Sequence, residues 1–341
     1  MPATPRSARR VRASVWGLCA AFWLSGLGLS RAPLADVPPL GAAAQTQPAA
    51  ASATFNLPNR PDSLKFFVLG DFGDGSKEQY ELAAQMARVQ AGFPALLIIT
   101  VGDNIYGSEG PKAFSRKFDI PYKPLLDAGV KFYAALGNHD TPNQRNYKEF
   151  NMGGKQYYTF RPKLGVRFFA LDSNYMSPEQ LTWLENELKA SGSDWKIAFF
   201  HHPLYSSGST HGSADLQRGL IEPVFMKYGV NVVFTGHEHF YERIKPQKGV
   251  AYFIIGSSSK LRHGDLQKSA LTLYGNDSDY AFMLVEIDGD ELFFQTISDK
   301  GVTLDAGSIR RAGDVAPGQN VTTQPVVPQT KPSPVQPGPK K

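Results

Sequence analysis

Leu64-Lys65-Phe66-Phe67-Val68-Leu69-Gly70-Asp71-Phe72-Gly73 is an apolar run that stops at a glycine and a carboxylate. Six such residues suit one buried strand, and the Gly-Asp pair suits a tight turn at its C-terminal end. The pattern recurs four times. Gly102-Asp103-Asn104-Ile105-Tyr106 follows the run 95–101, and Gly137-Asn138-His139-Asp140 follows 130–136. Phe200-His201-His202 closes 196–200, and Gly236-His237-Glu238-His239 follows 230–235. A further strand is expected at 166–171. Between these runs, 79–89, 114–126, 178–190 and 215–228 have helical spacing, and Ser177-Pro178 reads as a cap followed by proline at the first helical position. The alternation predicts an α/β fold whose polar residues gather at strand C-terminal ends, where active sites of open α/β sheets lie. Beyond Tyr241 the helical spacing fades; 251–255, 281–287 and 291–296 read as strands, the last two joined by Asp288-Gly289-Asp290.

Carboxylate, amide, imidazole and phenol are the side chains that hard and borderline metal ions accept, so the five motifs together read as a two-metal site. Asp103, immediately after a strand and a glycine, is placed to reach two ions at once, although an isolated Gly-Asp is also an ordinary Asx-turn. Asp71 sits equivalently and is assigned to the first ion, with Asp74 a solvated turn residue. Asn138 offers an amide oxygen, and His201, His237 and His239 offer imidazoles. Residues two apart in an extended segment point to one side, so His237 and His239 address adjacent ions. A lone histidine in such a place is also a common structural residue. Asp140 and Glu238 are candidates for orienting the imidazoles.

The chain has 341 residues, 42% apolar and 20% charged, enough for one large core domain, expected over 61–311. Residues 1–45 read as an export signal: Arg6, Arg9, Arg10 and Arg12 precede an apolar stretch from Ala13 to Leu29, then small residues including Ala42, Ala43 and Ala44. Ser14, Gly17, Ser25, Gly26 and Gly28 interrupt that stretch, favouring cleavage over retention as a membrane anchor. Arg9-Arg10 also fits a twin-arginine signal, leaving the route open and the destination periplasmic or extracellular. Cys19 is the only cysteine and lies inside the apolar stretch, so the mature chain is expected to hold no disulfide and no thiolate chemistry. The net charge of +5 sits at the ends: residues 1–36 carry +4 and 312–341 carry +2, leaving −1 for the middle and no general nucleic-acid surface. Residues 46–60 read as a linker and 312–341 as a Pro-rich disordered tail.

The motifs Gly-Asp-x-Gly, Gly-Asp-x-x-Tyr, Gly-Asn-His-Asp, a strand ending in histidine, and Gly-His-x-His resemble those of the purple acid phosphatases, in the metallophosphoesterase (calcineurin-like) superfamily, particularly the small tartrate-resistant type. The resemblance covers about 64–258, with Ala198 where the family pattern has valine. It implies an αββα sandwich with a dinuclear site at strand C-terminal ends. It also implies a ferric site of Asp71, Tyr106 and His239, a divalent site (iron, zinc or manganese) of Asn138, His201 and His237, and Asp103 between them. Many two-metal phosphoesterases end the first motif in a histidine ligand, where this chain has Gly73. Tyr106 fills the gap as a phenolate, a hard donor that favours iron; the other reading is a core tyrosine with its hydroxyl bonded. His202 is structural or outer-sphere.

The activity this implies is hydrolysis of phosphomonoesters by in-line attack of metal-bound hydroxide, without a Ser or Cys nucleophile and with activity at acidic pH. His139 and His211 are the candidate proton donors to the leaving group, and a loop histidine is the other reading of His211. Arg145, Lys260 and Arg262 are candidates for holding phosphate, or are solvated loop cations. A phosphodiesterase or nucleotidase would use the same site, a secreted metal- or phosphate-binding protein would have lost catalysis, and redox chemistry at iron is a third reading. A phosphate ester is the expected partner, with no membrane anchor after signal cleavage.

Overall fold

The computed structural model describes residues 55–311 and 321–325; the expected export signal lies outside them. β1 (Leu64–Leu69) is buried throughout and leads to α1 (Lys77–Gly92), where the Ser76 side chain accepts the Gln79 N–H at 3.2 Å and caps the helix. β2 (Leu97–Thr100) lies parallel to β1. Next come α2 (Pro111–Phe114), a π-helical turn (Ser115–Asp119) and α3 (Lys123–Asp127), then β3 (Lys131–Ala134), parallel to β2. The single helix expected over 114–126 is therefore broken. Pro121 and Pro124 supply no backbone N–H, and Ile120 bonds five residues back to Ser115 (2.9 Å), widening the turn.

β4 (Tyr158–Lys163) pairs with β5 (Val166–Ala170); α4 (Pro178–Lys189), β6 (Trp195–Phe199), α5 (Asp215–Tyr228) and β7 (Val232–Thr235) follow, with β5, β6 and β7 parallel. β8 (Tyr241–Gln247), β9 (Val250–Ile255) and β10 (Thr272–Asn276) complete this sheet, in the order β10-β8-β9-β7-β6-β5-β4. β11 (Ala281–Asp288), β12 (Glu291–Ser298), β13 (Thr303–Arg311) and β14 (Val321–Pro325) form an antiparallel run onto β1, giving the order β14-β13-β12-β11-β1-β2-β3.

The two sheets pack face to face. Phe66 of β1 meets Phe168 of β5 and Phe234 of β7 edge-on at 5.2 and 6.2 Å, and Phe253 of β9 meets Phe294 of β12 at 5.0 Å. Such pairs add about 0.5–1.5 kcal/mol each beyond burial. Leu184 and Leu188 of α4 with Ile221 and Phe225 of α5 cover Phe169, Ala198 and Val233 on the outer face of the second sheet. Leu82, Met86 and Val89, one stripe of α1, are buried in the main core with the first sheet. The layers are α, β, β, α, as expected.

Further segments depart from expectation. β8 and β13 are not among the expected strands; in them Arg243 on β8 grips Asp305 on β13 with both its Nε (2.7 Å) and Nη2 (3.0 Å), and the Tyr241 hydroxyl donates to the same carboxylate. The pairing lets charged strands enter the interior. The expected linker is already part of the core at Leu57, and the Asn59 and Arg60 N–H groups donate to Glu286. Within the expected disordered tail, 321–325 forms the edge strand β14, because β13 offers an open row of backbone partners. No helix among the described residues is long and apolar enough to cross a membrane.

Candidate metal centre

Strand ends bring the motifs to one edge: Asp71 follows β1, Asp103 follows β2, Asn138 follows β3, His201 follows β6, and His237 and His239 follow β7. Asp71, Asp103 and His237 adopt positive φ of 54°, 52° and 70°, a backbone state that costs a non-glycine residue about 1–3 kcal/mol. The strain turns each side chain back over the sheet edge. Gly102 makes the crossing possible: its φ is +95°, and a Cβ there would lie 2.6 Å from His201 Nδ1 and 2.8 Å from the Gly137 nitrogen.

Two groups of donor atoms converge. In the first, the Tyr106 hydroxyl lies 3.2 Å from Asp71 Oδ1 and 3.4 Å from His239 Nε2, and His239 Nε2 lies 3.5 Å from Asp71 Oδ1. Asp71, Asp103 and His239 each present one ligand atom within 4.8 Å of the others. In the second, His201 Nε2 lies 2.9 Å from Asn138 Oδ1 and 3.1 Å from His237 Nδ1. Asp103 joins the two, its Oδ1 3.4 Å from His201 Nε2. All seven sequence-derived candidates are thus together.

The hydrogen bonding fits cations. His201 Nδ1 faces the Val101 carbonyl at 3.0 Å, an acceptor only, so Nδ1 carries the proton and Nε2 turns its lone pair into the site. There it meets Asn138 Oδ1 and the Asp103 carboxylate, also acceptors. Burial raises the Asp71 carboxyl well above the carboxylate range, and the Asp103 charge adds to this; burial likewise raises Asp103. Burial and the neighbouring imidazoles lower His201 far below its ordinary value and hold His237 at about 2, while burial and Arg262 hold His239 at about 4. Buried anions and neutral imidazoles crowded together are the arrangement that metal ions stabilise.

The surrounding residues divide the remaining work. His139 is exposed beside Tyr106, ring centres 4.9 Å apart, and its N–H donates to Asp103 Oδ1 at 3.0 Å. His211 is exposed beside His237 at 4.2 Å. His202 bonds Ser173 Oγ at 2.9 Å behind the site. Asp140 and Glu238 do not orient imidazoles. Asp140 accepts the N–H groups of Gly137, Asn104 and Ile105, tying two motif loops together, and burial raises it to about 7. Glu238, in the bends that follow β7, accepts the Gly212 N–H at 2.6 Å, beside His211. Arg262 lies 3.8 Å from Glu238 and 3.3 Å from Asp265, while Lys260 pairs with Asp74 at 3.1 Å, so both cations are engaged. Asp74 is accordingly paired and not a solvated turn residue. Arg145 stands on the 3-10 turn Pro142–Asn146. Sequence reasoning named Glu238 and Arg262 separately and missed Asp265 and the pairing through Arg262 that joins the three.

Residues 64–241, more than half of the chain, match the calcineurin-like phosphoesterase family, and the chain belongs to it. It is a metallophosphoesterase with acid phosphatase relatives, which imply a phosphoester hydrolase with a dinuclear metal centre. It is 27% identical over 248 residues to purple acid phosphatase 4 of Arabidopsis thaliana, covering 61% of this chain and 72% of that one. It is 25% identical over 299 residues to tartrate-resistant acid phosphatase type 5 of Rattus norvegicus, covering 73% and 91%. Its fold is similar to purple acid phosphatase PPD1 of yellow lupin (TM-score 0.61, 18% identity, 75% of this chain and 55% of that one). It is also similar to GAP50, the anchor in the inner membrane complex of Plasmodium (TM-score 0.65, 20% identity, 72% and 87%).

Proposed function

We propose that the protein is an exported acid phosphatase that hydrolyses phosphomonoesters at a centre of one ferric and one divalent ion (iron, zinc or manganese). The observation that carries this reading is the pair of acceptor clusters sharing Asp103. Asp71, Tyr106 and His239 would hold one ion, Asn138, His201 and His237 the other, and Asp103 both. Bound there, the ions supply Lewis acidity that lowers the pKa of water and neutralises phosphoryl charge. Asp71 and Asp103, with the Tyr106 phenol deprotonated, leave such a centre a small positive charge that attracts a phosphate ester.

The chain's own residues place the proton. His139 stands beside the first cluster and His211 beside the second. Either ring is free to turn toward a leaving-group oxygen at the rim. Burial and Arg262 lower the His211 value, so its protonated, donating form belongs to acidic solution. Asp140 keeps the Asn138 and Asp103 loops in register through its backbone bonds. Export rests on the arginines and apolar stretch of residues 1–45.

The test is hydrolysis by the mature protein after iron and zinc loading, with a nitrophenyl monoester and the matching diester at acidic and neutral pH. Faster acid-side monoester cleavage is the expected result. A diester preference would move the reading to a phosphodiesterase, and no turnover of either would sink it.

A further inference from the structure

A cavity of about 420 Å³ has walls that include Glu109, Phe114, Asp119, Asn143, Gln144 and Tyr147. Its size is that of a small-molecule site. Phe114 and Tyr147 stack at 4.1 Å with a 23° angle, so one side is aromatic and rigid. No lysine, arginine or histidine lines it, while two carboxylates do. Among the described residues neither carboxylate has a salt-bridge partner. Glu109 accepts the Thr141 N–H (2.7 Å), the Thr141 hydroxyl and Gln144 Nε2 (2.8 Å). Asp119 accepts only the Tyr147 hydroxyl, on Oδ1, leaving Oδ2 without a protein donor. Lys117, a neighbouring cation that senses Glu109, is committed to the Tyr106 carbonyl. Two carboxylates without a salt-bridge partner, one of them with a free oxygen, beside an aromatic wall form a site for an organic cation.

Chain length and a hydrogen-bond chain link the cavity's lining to the centre. Glu109 is three residues beyond Tyr106, and Asn143 is four beyond His139, so fully extended chain would put their Cα atoms no more than about 11 and 14 Å from those residues. Gln144 Nε2 bridges Glu109 and Asp140 (2.8 and 2.7 Å), and Asp140 in turn accepts the Gly137 N–H beside Asn138. The wall that carries Phe114 and Asp119 is the π-helical turn and its start, an irregularity found at functional sites more often than in plain helices.

The geometry points to this cavity as a binding site for an organic ammonium group, primary or quaternary. On the proposed phosphatase function, that group belongs to the alcohol half of the substrate, so the preferred esters are phosphomonoesters of amino alcohols. The ammonium would contact Asp119 Oδ2 and Glu109 and lie against Tyr147. The phosphoryl group would remain at the metal centre.

The experiment uses the metal-loaded full mature chain and its Asp119→Asn and Glu109→Gln variants. Choline chloride is titrated by calorimetry, and kcat/KM is measured for phosphocholine, glycerol phosphate and nitrophenyl phosphate. The expected result is choline binding that weakens about tenfold in each variant, the loss of one charge-assisted contact. Phosphocholine kcat/KM should exceed that of glycerol phosphate and fall in both variants by more than that of nitrophenyl phosphate, which carries no ammonium group. Absence of choline binding, or equal binding by wild type and both variants, overturns the site. Choline binding with no preference for phosphocholine overturns its link to the substrate. Variant-sensitive choline binding without hydrolysis of any ester would support the cavity's ligand while removing the phosphatase reading.

Discussion

Asp265→Asn should loosen the loop that carries His211 while leaving every proposed metal ligand in place. Asp265 is buried, and its Oδ1 accepts Ser209 Oγ (2.7 Å), the Thr210 N–H (2.8 Å) and Thr210 Oγ1 (2.6 Å), while Arg262 reaches Oδ2. Burial works to raise this carboxyl, but the bonds from Thr210 and Ser209 and the Arg262 guanidinium bring it down to about 2. Against an ordinary value of 3.8, that depression corresponds to about 2.5 kcal/mol held by the ionised form. The folded value is the lower one, so this stabilisation is present above about pH 4 and is lost as pH falls through about 2. It is intact in an acidic assay near pH 5. Removing about 2.5 kcal/mol from local opening should speed amide exchange of 206–213 about 70-fold. The proton donor then spends less time at the rim, so kcat should fall for an alkyl phosphate, whose leaving group needs a proton, more than for nitrophenyl phosphate. Unchanged exchange in 206–213, or equal effects on the two esters, would refute the coupling of Asp265 to His211.

Other substitutions separate the parts of the site. Asp103→Ala should lower activity by at least about a thousandfold and reduce metal content, read by elemental analysis, since the shared carboxylate serves both clusters. Tyr106→Phe in iron-loaded protein should abolish the visible phenolate-to-iron absorption; retained colour would remove the phenolate assignment. His139→Ala should slow alkyl phosphate hydrolysis about 10²-fold, with a smaller effect on nitrophenyl phosphate, and equal rates would discard it as a proton donor.

The site was legible in the sequence because its residues sit on local signals. A strand followed by Gly-Asp, Gly-Asn or Gly-His can be read without any long-range pairing: β1, β2, β3 and β7 lead to such a pair, and β6 leads directly to Phe200-His201. What the sequence hid depends on distant partners. β8, not among the expected strands, carries Arg243, whose partner Asp305 lies sixty-two positions away. β14 becomes a strand only because β13 presents an open edge. The 114–126 break follows from prolines whose effect on backbone pairing overrides an amphipathic pattern. Glu238 was misread because its partner, the Gly212 N–H, belongs to a loop that no motif identifies.

The central claim is that Asp103 joins two metal sites in one chain. Elemental analysis of the purified, iron- and zinc-loaded protein beside its Asn138→Ala variant tests it most directly. Two ions per chain in the wild type, and about one in the variant with phosphatase activity lost, is the result expected. A single ion in the fully active wild type, or an active variant with one ion, would contradict the account.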